Sequence, residues 1–125
     1  MSNNGTKPEP FSYNATVVKI IDGDTVDALI DVGFSIMTKK RIRFRGINTP
    51  ESRTRDMDEK VKGLAAKERV DQLLSENDNK FILKSYGVGK YGRCLGELFV
   101  DAHEESINQV LINEGHAIEY WGGKR

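Results

Sequence analysis

Three short segments of this 125-residue chain hold polar groups with no obvious packing purpose: Asp22-Gly23-Asp24-Thr25, the run from Arg43 to Glu51, and Lys90-Tyr91-Gly92-Arg93. The middle segment is the densest. Ile42 and Phe44 alternate with Arg41, Arg43 and Arg45, so a period of two puts the apolar pair on a core face and the guanidinium groups opposite. Gly46 permits a bend and Pro50 biases Thr49 away from helix, so the strand must end there and deliver Glu51 at the corner. An arginine and a carboxylate on either side of a strand end, at 43 and 51, suggest phosphate chemistry. Taken alone, the same segment also suits a salt-bridged surface.

The elements that must position these groups follow from the rest of the pattern. A β-branched run over 15–21 predicts a strand, broken by Asp22-Gly23-Asp24 and resumed from Thr25 with Val26, Ala28 and Ile30 on one face. A turn around Asp31-Val32-Gly33 leads into the arginine-bearing strand, expected over 36–47. Residues 52–59 are charged and irregular and read as a loop. Helical spacing follows over 60–76, with Val61, Leu64, Ala65, Val70, Leu73 and Leu74 on one broad face, Gly63 weakening the first turn and Asn77-Asp78-Asn79 as a stop. Strands are expected over 80–84 and 94–100, and a short helix over 105–113 capped by Gly115. Five short strands with a helix between the third and fourth predict an α+β fold: a five-stranded Greek-key barrel of the OB type with two main helices. Residues 1–13 are expected to be a flexible arm and 14–125 one domain, which this length supports.

Composition narrows the function classes. The formal net charge is zero, so a nucleic-acid partner must be held by a local patch, which Lys39, Lys40, Arg41, Arg43 and Arg45 supply. A single cysteine, Cys94, excludes an intramolecular disulfide and a cysteine-built zinc site, and neither His103 nor His116 has a second histidine at ligand spacing. No apolar run approaches the length of a membrane-spanning helix. The polar first residues lack a signal-peptide core, so the expectation is a cytoplasmic chain, with an earlier-removed leader left open.

The order β, Asp-Gly-Asp-Thr, β, β, Arg-x-x-Gly-Ile-Asn-Thr-Pro-Glu, helix, Lys-Tyr-Gly-Arg, β, helix resembles the thermonuclease (staphylococcal-nuclease-like) family from residue 15 to about 121. Ile107-Asn108-Gln109-Val110-Leu111 and Gly115-His116-Ala117 stand at the places this family would have them. The resemblance implies a calcium-dependent nuclease, endo- or exonucleolytic, that hydrolyses phosphodiester bonds of DNA and RNA and leaves 3′-phosphate ends. Single-stranded or frayed substrate and a monomeric state are the accompanying expectations. By the same resemblance Asp24, Asn48 and the Thr49 carbonyl would be metal ligands, and Arg43 and Arg93 would bind phosphate. Glu51 would act as general base or water-orienting group. Lys90 and Tyr91 would hold the nucleotide phosphate, and Tyr120 or Trp121 would lie near the base.

Two departures accompany the resemblance. Asn48 stands where the family has aspartate, which removes a negative charge from the metal site and leaves other divalent ions open beside calcium. Gly89 replaces an acidic residue before Lys90-Tyr91. Two other readings remain open: a non-catalytic OB-type nucleic-acid-binding module and a protein-interaction domain. Simple nucleic-acid binding does not need a carboxylate beside a phosphate site.

Overall fold

A computed structural model describes residues 11–88 and 92–121. In chain order the elements are β1 (Ser12–Asp22), β2 (Thr25–Asp31), β3 (Met37–Phe44), β4 (Ile47–Asn48), α1 (Met57–Ser75), β5 (Lys80–Val88), β6 (Cys94–Phe99), α2 (Ile107–Asn113) and β7 (Ile118–Glu119). Five strands close into a barrel in the order β1-β2-β3-β6-β5, and β4 pairs with β7 in a separate two-stranded ribbon. The barrel pairings are antiparallel except β3 with β6, where Ile42 faces Cys94 and Phe44 faces Gly96. The expected five-stranded barrel with two main helices is therefore the fold.

Alternation decides which side chains enter the barrel. Val26, Ala28 and Ile30 of β2, Ile42 and Phe44 of β3, Phe81 and Leu83 of β5 and Leu98 of β6 form one core with Val70, Leu73 and Leu74 of α1 and Ile107 and Leu111 of α2. Fully burying each large member stabilises the fold by about 1.5–3 kcal/mol. Two register shifts in β1, at Val17/Lys19 and Ile20/Asp22, give the long strand the extra twist it needs to coil round the barrel.

The structure corrects the expected boundaries in ways that matter for the site. β1 begins at Ser12, so residues 12 and 13 pair with β5 rather than belonging to an arm; residues 1–10 lie outside the described part. β5 runs to Val88, beyond the expected end at 84. β3 stops at Phe44 because Gly46, with φ +81°, turns the chain into β4. α1 starts at Met57, three residues before the expected 60, because the Asp56 carboxylate caps it by accepting from Asp58 N and Glu59 N. Its face also differs. Val61, Leu64 and Ala65 are exposed, while Gly63 and Ala66 are buried against the loops that carry the polar segments. Asp78 and Asn79, at φ +58° and +60°, end the helix as expected, in the left-handed region these residue types tolerate. Ser106 caps α2 and Gly115, at φ +80°, follows it.

Candidate active site

The β1–β2 turn, the end of β3 with β4, the loop after β4 and the start of β6 converge at one end of the barrel. They enclose an open cavity of about 670 Å³ lined by Asp22, Asp24, Thr25, Arg43, Asn48, Thr49, Glu51, Arg53, Arg93 and Tyr120. The fold thus brings together Asp24, Arg43, Asn48, Thr49, Glu51, Arg93 and Tyr120 from the expected set. Trp121 is not among the lining residues; its indole packs over Gly46. Lys90 and Tyr91 lie outside the described residues.

The floor of the cavity is a buried polar network. Asp24 is 8% exposed; its Oδ1 accepts from the Thr25 hydroxyl at 3.0 Å and its Oδ2 from the Thr49 N–H at 3.0 Å. Arg43 sits on the outward face of β3, as the alternation requires. Its Nη1 donates to the Phe44 carbonyl at 3.0 Å and faces Asp24 Oδ2 at 3.6 Å, while Nη2 donates to Asn48 Oδ1 at 3.1 Å. The buried carboxylate and the part-buried guanidinium held this way compensate each other. Arg41, on the same strand face, goes elsewhere: it binds Asp27 through two hydrogen bonds, of 2.8 and 3.1 Å, which hold the Asp27 carboxyl below its usual value.

Glu51 is exposed, but its backbone is fastened on three sides. Its N–H donates to Glu59 Oε2 of α1 at 3.1 Å. The next residue, Ser52, is buried and gives both its N–H, at 3.2 Å, and its hydroxyl to Asp22 Oδ1. The third side is Gly63: a Cβ there would lie 2.4 Å from the Glu51 carbonyl oxygen, so the corner rests directly on the helix backbone. Gly23 serves the facing turn in the same manner, since a Cβ on it would meet Ala66 Cβ at 2.8 Å and the Thr49 side chain at 3.1 Å. Two small positions on one helix therefore seat both site loops.

Several of these contributors escape a reading of the sequence. Asp22 reads as a turn residue and Gly63 as a weak point in a helix, whereas both position Glu51. The spacing Asp56-x-x-Glu59 is a capping-type signal that marks the true helix start and could have been found. The β4–β7 ribbon, which pairs Asn48 with Ile118 and sets Tyr120 beside the site through its N–H to the Gly46 carbonyl at 2.8 Å, leaves no periodic trace.

The donor set suits a hard cation. Asp24 carboxylate, Asn48 amide carbonyl and Thr49 offer oxygen only, and the Thr49 hydroxyl oxygen is buried with no hydrogen-bond partner among the described residues. No group of three or more His, Cys, Asp and Glu side chains gathers around a possible metal position among the described residues, so neutral oxygens would have to carry much of the coordination.

Residues 41–124, well over half of the chain, match the family described as staphylococcal nuclease homologue. The chain is 28% identical over 120 residues to a micrococcal nuclease of Shigella flexneri, covering 90% of this chain and 62% of that protein. It is 30% identical over 112 residues to Protein ParB of Escherichia coli, covering 83% of this chain and 55% of that protein. It thus spans less than two-thirds of the length of either relative. With a closed five-stranded barrel, two helices and polar loops gathered at one barrel end, the chain belongs to the staphylococcal nuclease homologue family.

Proposed function

We propose that this chain is a calcium-dependent phosphodiesterase that cleaves DNA and RNA, preferring single-stranded or frayed segments and leaving 3′-phosphate ends. The observation that supports it best is the meeting of two arginines, Arg43 and Arg93, with an exposed, backbone-anchored carboxylate, Glu51, around one open cavity. Simple binding does not need that carboxylate, whereas hydrolysis does.

In this reading Arg43 and Arg93 grip the phosphoryl oxygens, and their donors strengthen as negative charge grows in the transition state. Arg43 is already oriented by Phe44 O and Asn48 Oδ1, so it loses little freedom on binding. Glu51 orients a water and accepts its proton as the water oxygen bonds to phosphorus in line with the departing group. The bond to the 5′ oxygen breaks, and that oxygen leaves as a hydroxyl after taking a proton from solvent. Asp24, Asn48 and the Thr49 carbonyl would hold calcium, which when bound supplies positive charge beside the phosphate. Tyr120, on the cavity wall, offers a face to the adjoining base or sugar.

The test is release of acid-soluble nucleotides from denatured DNA by the purified chain with calcium, repeated with a chelator. Chelator-sensitive release is the expected result. Retention of intact strands on a filter, with no cleavage in calcium, would instead make the chain a binding module.

A further inference from the structure

Arg45 takes no part in the site described above, yet it is held more tightly than a surface arginine. Its backbone N–H donates to the Gly96 carbonyl at 2.9 Å, and its own carbonyl accepts from Asn108 Nδ2 at 2.9 Å. Asn108 is buried and also donates to Gly96 O at 3.1 Å, so this corner of the barrel is fixed. The guanidinium carbon lies 4.0 Å from the Tyr86 ring centroid and 5.0 Å from that of Trp121. Both rings are themselves seated. The Tyr86 hydroxyl donates to the Glu97 carboxylate, and the indole lies so close over Gly46 that a Cβ there would be 2.6 Å from it.

A guanidinium against two aromatic faces is held through its plane, which leaves its N–H groups pointing outward along the edges. Among the described residues these donors make no hydrogen bond; the aromatic contacts are the interactions of the Arg45 side chain. An oriented cation with uncommitted planar donors is the arrangement that recognises a phosphate. Its position fits a particular one. Arg45 lies two residues beyond Arg43, in the turn that ends β3, and so stands next to the cavity that Arg43 lines. Trp121, 67% exposed, follows directly on Tyr120 of the cavity wall and offers an aromatic surface beside Arg45 on which a base could stack.

We propose that Arg45, clamped by Tyr86 and Trp121, is a second phosphate-binding site that holds the phosphate adjacent to the one in the cavity and so selects a nucleic-acid strand over a mononucleotide. The inference rests on the nucleic-acid reading given above. A merely structural role, tying β5 to the chain after β7, predicts a change in thermal stability but none in ion release on binding.

The discriminating measurement is the salt dependence of oligothymidylate binding by the full chain carrying Glu51→Gln, which prevents cleavage. Adding Arg45→Met, whose apolar stem still fills the space between the rings, should lower the slope of log K against log salt by about 0.7, one single-strand phosphate contact. Arg45→Lys should restore the slope, and Arg41→Met, on an arginine already engaged by Asp27, should leave it unchanged. An unaltered slope in Arg45→Met overturns the inference and leaves the proposed function standing. Absence of any oligothymidylate binding by the Glu51→Gln chain overturns both. If Arg45→Met does not fold, Tyr86→Ala serves: a several-fold loss for the oligomer with an unchanged mononucleotide affinity supports the second site, and equal losses for both refute it.

Discussion

Asn48 concentrates the chemistry of the site in one side chain. Its amide oxygen accepts from Arg43 at 3.1 Å, and by the proposed function the same oxygen serves a calcium ion. An aspartate there would add the missing negative charge, so Asn48→Asp should lower the calcium concentration for half-maximal cleavage by roughly an order of magnitude. A calcium titration of initial rates checks this; an unchanged or higher requirement removes Asn48 from the ligand set. Asp24 is the stricter case, because its two oxygens already satisfy the Thr25 hydroxyl and the Thr49 amide while facing Arg43. Truncating it leaves the buried Thr49 N–H without its acceptor and removes the carboxylate facing Arg43, so Asp24→Ala should destabilise the fold by about 1–3 kcal/mol as well as abolish activity. Chemical denaturation would register the first effect independently of the second.

At the scale of elements, α1 covers the barrel with its second half and seats the site with its first. Replacing glycine by alanine inside a helix ordinarily stabilises it by about 1 kcal/mol. At Gly63 the sign should reverse, because the new Cβ would lie 2.4 Å from the Glu51 carbonyl oxygen. Gly63→Ala is expected to cost about 1–3 kcal/mol through overpacking and to reduce kcat more than KM, since it displaces Glu51 and leaves Arg43 in place. Steady-state kinetics beside a thermal melt would show it, and an unchanged kcat would mean the corner is free of the helix. This contact explains what the sequence did and did not reveal. The barrel strands were legible because Val26, Ala28 and Ile30, or Phe81 and Leu83, repeat at the period of a half-buried strand. The buried face of α1 departs from its apolar pattern because its first half meets the loops through Gly63 and Ala66, small residues that give little hydrophobic signal. Asp22 was likewise legible as a turn residue but not as the acceptor that fixes Ser52, since that bond joins positions 22 and 52, distant in the chain. Asp24, Arg43, Asn48, Thr49, Glu51 and Arg93 stand out in the sequence through motif order alone, and the fold brings them to one cavity.

Across the whole molecule, a chain with no net charge gathers its cations locally and adds an ion pair to the core contact between its two helices. Arg69 of α1 makes a two-pronged contact, 2.7 and 3.0 Å, with Glu114 at the end of α2. The hydrogen bond from Arg69 holds the Glu114 carboxyl below its usual value. A carboxylate with a depressed folded-state value contributes stability that is fully present above its unfolded value and is lost as pH falls through the folded one. Glu114→Gln should therefore lower stability near neutrality by about 0.5 kcal/mol, after allowing for solvent screening of this part-exposed pair. The difference from the parent chain should vanish in acid, below the carboxylate range; a difference that persists there would assign the effect to packing. The cavity end by contrast gathers groups from distant parts of the chain, and by the proposed function Glu51 is the one whose role separates an enzyme from a binding module. The most direct measurement is the rate of calcium-dependent cleavage of denatured DNA by Glu51→Gln beside the parent chain. The account predicts a loss of about 10²–10⁴-fold, the usual contribution of a general base, with strand binding retained, whereas a Glu51→Gln chain that cleaves at the full rate would contradict it.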